Sequence, residues 1–155
     1  MGKPVMQEEA IQAPKGRVLI VDDDPHALEI LSRLLGREGY ECQTVDSGQG
    51  CLDALARQPA DVIVLDVMMP NMDGLQVCEH LRASDATRAI PVILLTAKDD
   101  METRQRGMAL GVSEYLTKPL NKQELFTRIR AQVHSRELER RLTKTEESVA
   151  GKKKA

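Results

Sequence analysis

Three short stretches constrain the fold of this 155-residue chain more than any other feature: Val18-Leu19-Ile20-Val21, Val62-Ile63-Val64-Leu65 and Val92-Ile93-Leu94-Leu95 are unbroken aliphatic runs. A strand with one face in water alternates apolar and polar side chains, whereas an unbroken run suits a strand covered on both faces. Covering both faces takes helices on either side, which the crossovers between parallel strands supply. The full set of strand candidates is Arg17–Val21, Glu41–Val45, Val62–Leu65, Pro91–Leu95 and Glu114–Leu116. The second mixes polar and apolar residues and is expected at a sheet edge.

Segments of helical period fill the intervals. Asp24-Pro25 supplies a cap followed by proline at the first helical position, and Leu28, Leu31, Leu34 and Leu35 then form one apolar stripe ending at Gly36 or Gly39. A second helix is predicted from about Gly48 to Arg57, stopped by Pro59, and a third follows Gly74 with Leu75, Cys78 and Leu81 on one face. A fourth carries Asp99, Asp100 and Glu102 in its first turn, where acids suit the helix dipole, and ends by Gly111. The fifth opens on Asn121 and Glu124, a variant of the capping box, with Leu125, Phe126, Ile129 and Val133 on its inner face. Five strands alternating with five helices predict an α/β fold, a doubly wound five-stranded parallel sheet.

Composition narrows the function classes. The chain is 41% hydrophobic and 30% charged, an ordinary globular balance, and its length fits one domain with tails. A formal net charge of -2 disfavours binding to nucleic acid through a broad basic surface, and 2% aromatics leave no stacking platform for single strands. The charge is uneven: residues 17–133 carry an excess of acids and residues 134–155 an excess of bases. No apolar run approaches the roughly 18 residues of a membrane span. Met1 to Gly16 lacks the apolar core of a signal peptide and is expected to be a flexible leader. Cys42, Cys51 and Cys78 are odd in number and form no C-x-x-C pair, which suits reduced thiols in a cytoplasmic protein. His26, His80 and His134 show no metal-ligand spacing.

In an open α/β sheet, ligands bind at the carboxyl ends of the strands. The first strand ends in Asp22-Asp23-Asp24, the third in Asp66, the fourth in Thr96 and the fifth in Lys118. Taken singly, Asp24 before Pro25 is a helix cap, Asp22-Asp23 a solvated turn, Lys118-Pro119 a surface turn and Thr96 a strand-end hydroxyl. Together they bring carboxylates, a hydroxyl and an ammonium to one sheet edge. Carboxylates packed closely repel one another unless a cation joins them, and an all-oxygen donor set suits Mg²⁺. The ammonium and hydroxyl would compensate a phosphoryl group, leaving one carboxylate free as nucleophile. The pattern points to metal-assisted phosphoryl transfer to an aspartate.

The motifs Val18-Leu19-Ile20-Val21-Asp22-Asp23-Asp24-Pro25, Asp66-Val67-Met68-Met69-Pro70-Asn71-Met72-Asp73-Gly74, Leu94-Leu95-Thr96-Ala97 and Tyr115-Leu116-Thr117-Lys118-Pro119 resemble those of a bacterial two-component response-regulator receiver domain of the single-domain, chemotaxis-regulator type. The resemblance covers residues 17–133. It implies a flavodoxin-like (βα)5 fold in which Asp66 accepts a phosphoryl group from a sensor histidine kinase or a histidine phosphotransfer protein. It implies that Asp23 and Asp66 hold Mg²⁺ directly, that Asp22 helps through water, and that the backbone carbonyl of Met68 is a further ligand. Thr96 and Lys118 would contact the phosphoryl oxygens, and the Lys118-Pro119 peptide would be cis. Labelling would draw in Thr96, Tyr115 would turn into the space behind it, and the surface of helix four, strand five and helix five, roughly residues 98–133, would change. Tyr115 as plain core packing is the alternative. The resemblance further implies that the positions of Met68 and Lys98 tune the lifetime of the phosphoryl group; Met68 offers nothing to orient an attacking water, so a lifetime of minutes or longer is expected.

Beyond Val133 the apolar stripe breaks, and the balanced charges favour a solvated helical extension over 134–155 that ends in a disordered basic tail at Lys152-Lys153-Lys154. A dimeric coiled coil needs three or four heptads of apolar seam, and barely one is present. A monomer is expected, or a dimer formed on phosphorylation. Either the protein is a single-domain regulator acting through a bound partner, or an effector lies beyond Ala155; the Gly-Lys-Lys-Lys-Ala end favours the first. Two other classes compete. A phosphatase of the haloacid-dehalogenase type would use the acids after the first strand, but Asp66 and its Met-Met-Pro loop would be unexplained. A DNA-binding regulator needs a helix-turn-helix, for which no segment is available.

Overall fold

The computed structural model describes residues 13–97 and 99–154, with side chains described as far as Thr143. The expectation for Lys98 therefore lies outside the described residues, as do the first twelve residues of the leader. Strands β1 (Arg17–Val21), β2 (Glu41–Val45), β3 (Val62–Asp66), β4 (Val92–Thr96) and β5 (Glu114–Thr117) alternate with helices α1 (Pro25–Arg37), α2 (Gly48–Arg57), α3 (Gly74–Ala83), α4 (Met101–Ala109) and α5 (Lys122–Lys154). All pairings are parallel, in the order β2-β1-β3-β4-β5. The mixed strand β2 is at the edge, as expected.

Side-chain alternation sorts the aliphatic runs into two cores. Leu19, Val21, Ile63, Leu65, Val92 and Leu94 face α2 and α3, and Val18, Ile20, Val62, Val64, Ile93 and Leu95 face α1 and α5. β3 and β4 are buried at every position, which is why their sequences carry no polar alternation. The sequence crosses over in opposite directions from β1, to β2 on one side and β3 on the other. That topological switch opens a crevice at the carboxyl edge of the sheet.

Local chemistry sets the helix ends. Asp24 takes the cap role, its Oδ1 accepting from the His26 N–H at 3.0 Å with Pro25 next. Asp73 and Gln76 form a reciprocal capping box on α3, each bond 2.9 Å. The Asn121 carboxamide accepts from the Glu124 N–H at 3.0 Å at the start of α5. Lys15 and Gly16, the last residues of the expected leader, are bonded to the turn before β2: the Lys15 N–H donates to Gly39 O and the Glu41 N–H to Gly16 O, both at 2.9 Å.

Helix α5 continues unbroken past Val133 to Lys154, through the basic end for which the sequence reading expects disorder. Glu, Lys, Arg and Leu make up most of this stretch, and all are strong helix formers. Arg140 pairs with Asp61 at 2.6 Å, and Asp61 also accepts the Arg17 N–H at 2.7 Å, so the extension is fastened at the amino edge of the sheet.

Candidate functional site

The carboxyl edge brings together the residues that the sequence singled out. Asp22 follows β1, Asp66 closes β3, Thr96 closes β4 and Lys118 follows β5. Among the described residues Asp22, Asp66 and Thr96 are the buried polar ones in an otherwise aliphatic interior, while Asp23 is exposed. Lys118 Nζ lies 2.9 Å from Asp66 Oδ1 and 3.7 Å from Asp22 Oδ2. Asp22 Oδ1 accepts the Asp24 N–H at 2.9 Å, which orients its carboxylate. Its Oδ2 and the Thr96 hydroxyl are buried without a hydrogen-bond partner.

Electrostatics follow from this packing. Loss of solvent raises the pKa of Asp22; the Asp24 N–H opposes the rise, the neighbouring Asp66 carboxylate adds to it, Lys118 opposes it and Asp23 adds to it. Burial works against the Lys118 ammonium, but the hydrogen bond and charge of Asp66, with Asp22, outweigh it and hold the group above its ordinary value. Carboxylate oxygens of Asp22, Asp23 and Asp66 lie within 4.8 Å of one another. An all-oxygen donor set, a shared excess of negative charge and the orphaned Asp22 oxygen fit a hard divalent cation such as Mg²⁺.

The loop after β3 shapes the pocket. Asn71 adopts a left-handed backbone at φ 68°, which asparagine tolerates better than most residues, and the Gly74 N–H returns to Val67 O at 2.9 Å. A Cβ at Gly74 would stand 2.6 Å from the Asp66 carbonyl oxygen, so only glycine lets α3 start this close to Asp66. The Met68 side chain is 74% exposed beside the pocket, and the Lys118-Pro119 peptide is cis.

Tyr115 is half-buried two residues before Thr117, the cross-strand neighbour of Thr96. Its hydroxyl donates to Arg104 O at 2.6 Å, and burial lifts the phenol above its ordinary pKa. Arg104 Nη2 in turn donates to Thr117 Oγ1 at 2.6 Å. Neither Gly74 nor Arg104 is given a role by the sequence reading. Gly74 stands in a quoted motif, and Arg104 carries no local signal because its partners lie 11 and 13 residues away.

A flavodoxin-like parallel sheet with an acidic pocket at its switch point is the receiver fold. Residues 18–130 match the model of the response regulator receiver domain, and the chain belongs to that family, the receiving component of two-component signalling. It is 42% identical over 115 residues to "Response regulator MprA" of Mycolicibacterium vanbaalenii, covering 74% of this chain and 49% of that protein. It is 44% identical over 115 residues to "Response regulator PleD" of Caulobacter vibrioides, covering 74% of this chain and 25% of that protein. The chain thus spans about half the length of the first relative and a quarter of the second. Among solved structures, the signal receiver domain of a signal transduction histidine kinase from Syntrophus aciditrophicus matches with a TM-score of 0.73 and 33% identity, covering 77% of this chain and 91% of that one. Among the described residues no helix is long and apolar enough to cross a membrane.

Proposed function

We propose that Asp66 is the phosphoacceptor of this receiver, supplied by a sensor histidine kinase or a histidine phosphotransfer protein in the cytoplasm. The observation that carries the reading is the buried Asp66 carboxylate 2.9 Å from Lys118 Nζ, with the unpartnered Thr96 hydroxyl closing the adjacent strand. In the step, an Asp66 oxygen bonds to the phosphorus of an N-phosphohistidine as the P–N bond breaks, and the imidazole leaves. Lys118 and Thr96 take the phosphoryl oxygens as a cation and a hydroxyl donor. Asp23 and Asp66, with Asp22 through water and the backbone carbonyl of Met68, would hold Mg²⁺, which supplies charge compensation for the transferring group when bound. A cleft of about 570 Å³ between α1 and the turn into α5, lined by Ile30, Leu31, Leu34, Pro119 and Leu120, opens beside Asp22 and Lys118 and gives the donor protein apolar surface next to the acceptor.

The labelled state is read on the face of α4, β5 and α5, roughly residues 98–133, through Thr96 and Tyr115. The protein is a signalling acceptor whose own chemistry is limited to accepting and losing the phosphoryl group. The exposed, apolar Met68 orients no attacking water, which supports a lifetime of minutes or longer. The domain runs over residues 17–133, and 134–155 form its charged extension. The length of the relatives favours a second reading of the output, in which the receiver controls an effector carried on the same polypeptide after Ala155. Incubation with acetyl phosphate and Mg²⁺, read by intact mass, tests the acceptor. Wild type gains one phosphoryl group and Asp66→Asn gains none; stable labelling of the variant would sink the assignment.

A further inference from the structure

Helix α4 is held on the sheet differently from its neighbours. Among its described residues only Gly107 is buried, whereas α1 buries Leu28, Leu31 and Leu35 and α3 buries Leu75, Val77 and Leu81. Met101 and Met108, two turns apart, are 60% and 69% exposed. Apolar burial therefore contributes little to the docking of α4. Polar contacts fasten it instead, and one residue supplies both ends of the fastening. Arg104 Nη2 donates to the Thr117 hydroxyl at 2.6 Å, and Arg104 O accepts the Tyr115 hydroxyl at 2.6 Å. The Arg104 Nε–H is buried without a partner, so the guanidinium is turned inward although one of its donors gains nothing there. Gly107 completes the slot, since a Cβ there would stand 2.9 Å from the Tyr115 hydroxyl. Thr117 pairs with Thr96 and Tyr115 with Leu94 across the β4–β5 ladder, so both contacts flank the strand end that carries Thr96.

We propose that Arg104 is a positioning residue of the switch, which clasps α4 to β5 at Thr117 and Tyr115 until a displacement of Thr96 opens both contacts. The proposal rests on the reading of Thr96 and Tyr115 as the switch pair. Movement of Thr96 shifts its neighbour Thr117 away from the guanidinium, and rotation of Tyr115 vacates the Arg104 carbonyl. With no aliphatic side chain buried between Met101 and Ala109, and only the capping Leu110 partly packed on the core, α4 then repositions as a unit and carries its exposed methionines with it.

Amide hydrogen exchange of the full chain tests the clasp without any phosphodonor, so the result is independent of whether Asp66 is labelled. Arg104→Ala and Thr117→Val are expected to speed exchange over 102–110 about tenfold and leave β1, β3 and β4 at wild-type rates. Arg104→Lys, which keeps a cationic donor group, is expected to restore part of the protection. In a Tyr40→Phe background Tyr115 is the sole aromatic fluorophore besides phenylalanine, because the chain has two Tyr and no Trp. Its emission is expected to change in Arg104→Ala. Beryllofluoride with Mg²⁺ is expected to speed α4 exchange in the wild type and to add less in Arg104→Ala, which lacks the guanidinium contact and keeps only the Tyr115 bond to the main-chain carbonyl. Unchanged α4 exchange in Arg104→Ala, or an equal rise across the core strands, would overturn the proposal. So would a full mimic-induced rise in that variant.

Discussion

Cys51 and Cys78 show how far the interior of this fold departs from water. Both are fully buried between α2, α3 and the sheet, and the loss of solvent pushes their thiols up to about 12 and about 11. At pH 8 such values leave roughly one Cys51 in ten thousand and one Cys78 in a thousand as the reactive thiolate. Cys42, on the edge strand β2, is only half-buried and its shift is smaller. Native protein treated with iodoacetamide at pH 8 is therefore expected to take one label, on Cys42, and to take three in urea; peptide mass mapping distinguishes the sites. Labelling of Cys78 as fast as Cys42 would show that the core opens without unfolding. The folded state keeps these protons where an unfolded thiol, near 9.0, would lose them, so their contribution to stability fades as pH rises above about 9. The same low-polarity interior makes the orphaned Asp22 oxygen and Thr96 hydroxyl costly, and they stand only at the edge where a ligand could satisfy them.

Among elements, α3 is the one whose placement the acceptor depends on most closely. Its first residue, Gly74, lies against the backbone of Asp66, and a methyl group there would meet the Asp66 carbonyl oxygen at 2.6 Å and Val67 Cα at 2.9 Å. Both are main-chain atoms of a buried strand end and cannot swing aside as a side chain would. Gly74→Ala is expected to cost about 1–3 kcal/mol in urea unfolding, as overpacking does, and to slow labelling by acetyl phosphate because Asp66 must shift. Full stability with wild-type labelling would show that the loop absorbs the methyl. The elements themselves were legible because their signals are local: aliphatic runs for β1, β3 and β4, Asp24-Pro25 for α1, Asn121 and Glu124 for α5. The convergence of Asp22, Asp66, Thr96 and Lys118 was legible for the same reason, since each closes a strand and parallel strands end on one edge. What holds α4 and the end of α5 was not legible. Arg104 and Arg140 look like any solvated arginine in sequence, and only the fold brings them to Thr117 and to Asp61, 79 residues away for the latter.

At the scale of the whole molecule, α5 connects the two ends of the sheet. It begins beside Pro119 at the acidic edge, buries Leu125 and Ile129 against β-sheet side chains, and passes Gly16 and Asp61 at the opposite edge. A helix of 33 residues is about 50 Å long. Its body-facing side carries Val133, Arg136 and Arg140, while Leu138 and Leu142 are exposed on the other side. Two exposed leucines make about one heptad of seam, short of the three or four that a stable two-stranded coiled coil needs. Self-association through the described part of α5 is therefore expected to be weak, and a dimer formed on phosphorylation is expected to use the face of α4, β5 and the start of α5, which is the face proposed to change. Light scattering with Mg²⁺, with and without beryllofluoride, is expected to give the monomer mass of 17.2 kDa in both states. That result would leave output to a contact made by residues 98–133, with a separate partner or with an effector on the same polypeptide. A dimer that forms only with the mimic would instead make self-association the output, and replacing the exposed Met101 and Met108 with serine would then dissolve it if the α4 face is the contact. A dimer in both states would contradict the seam argument and point to the extension as the assembling element.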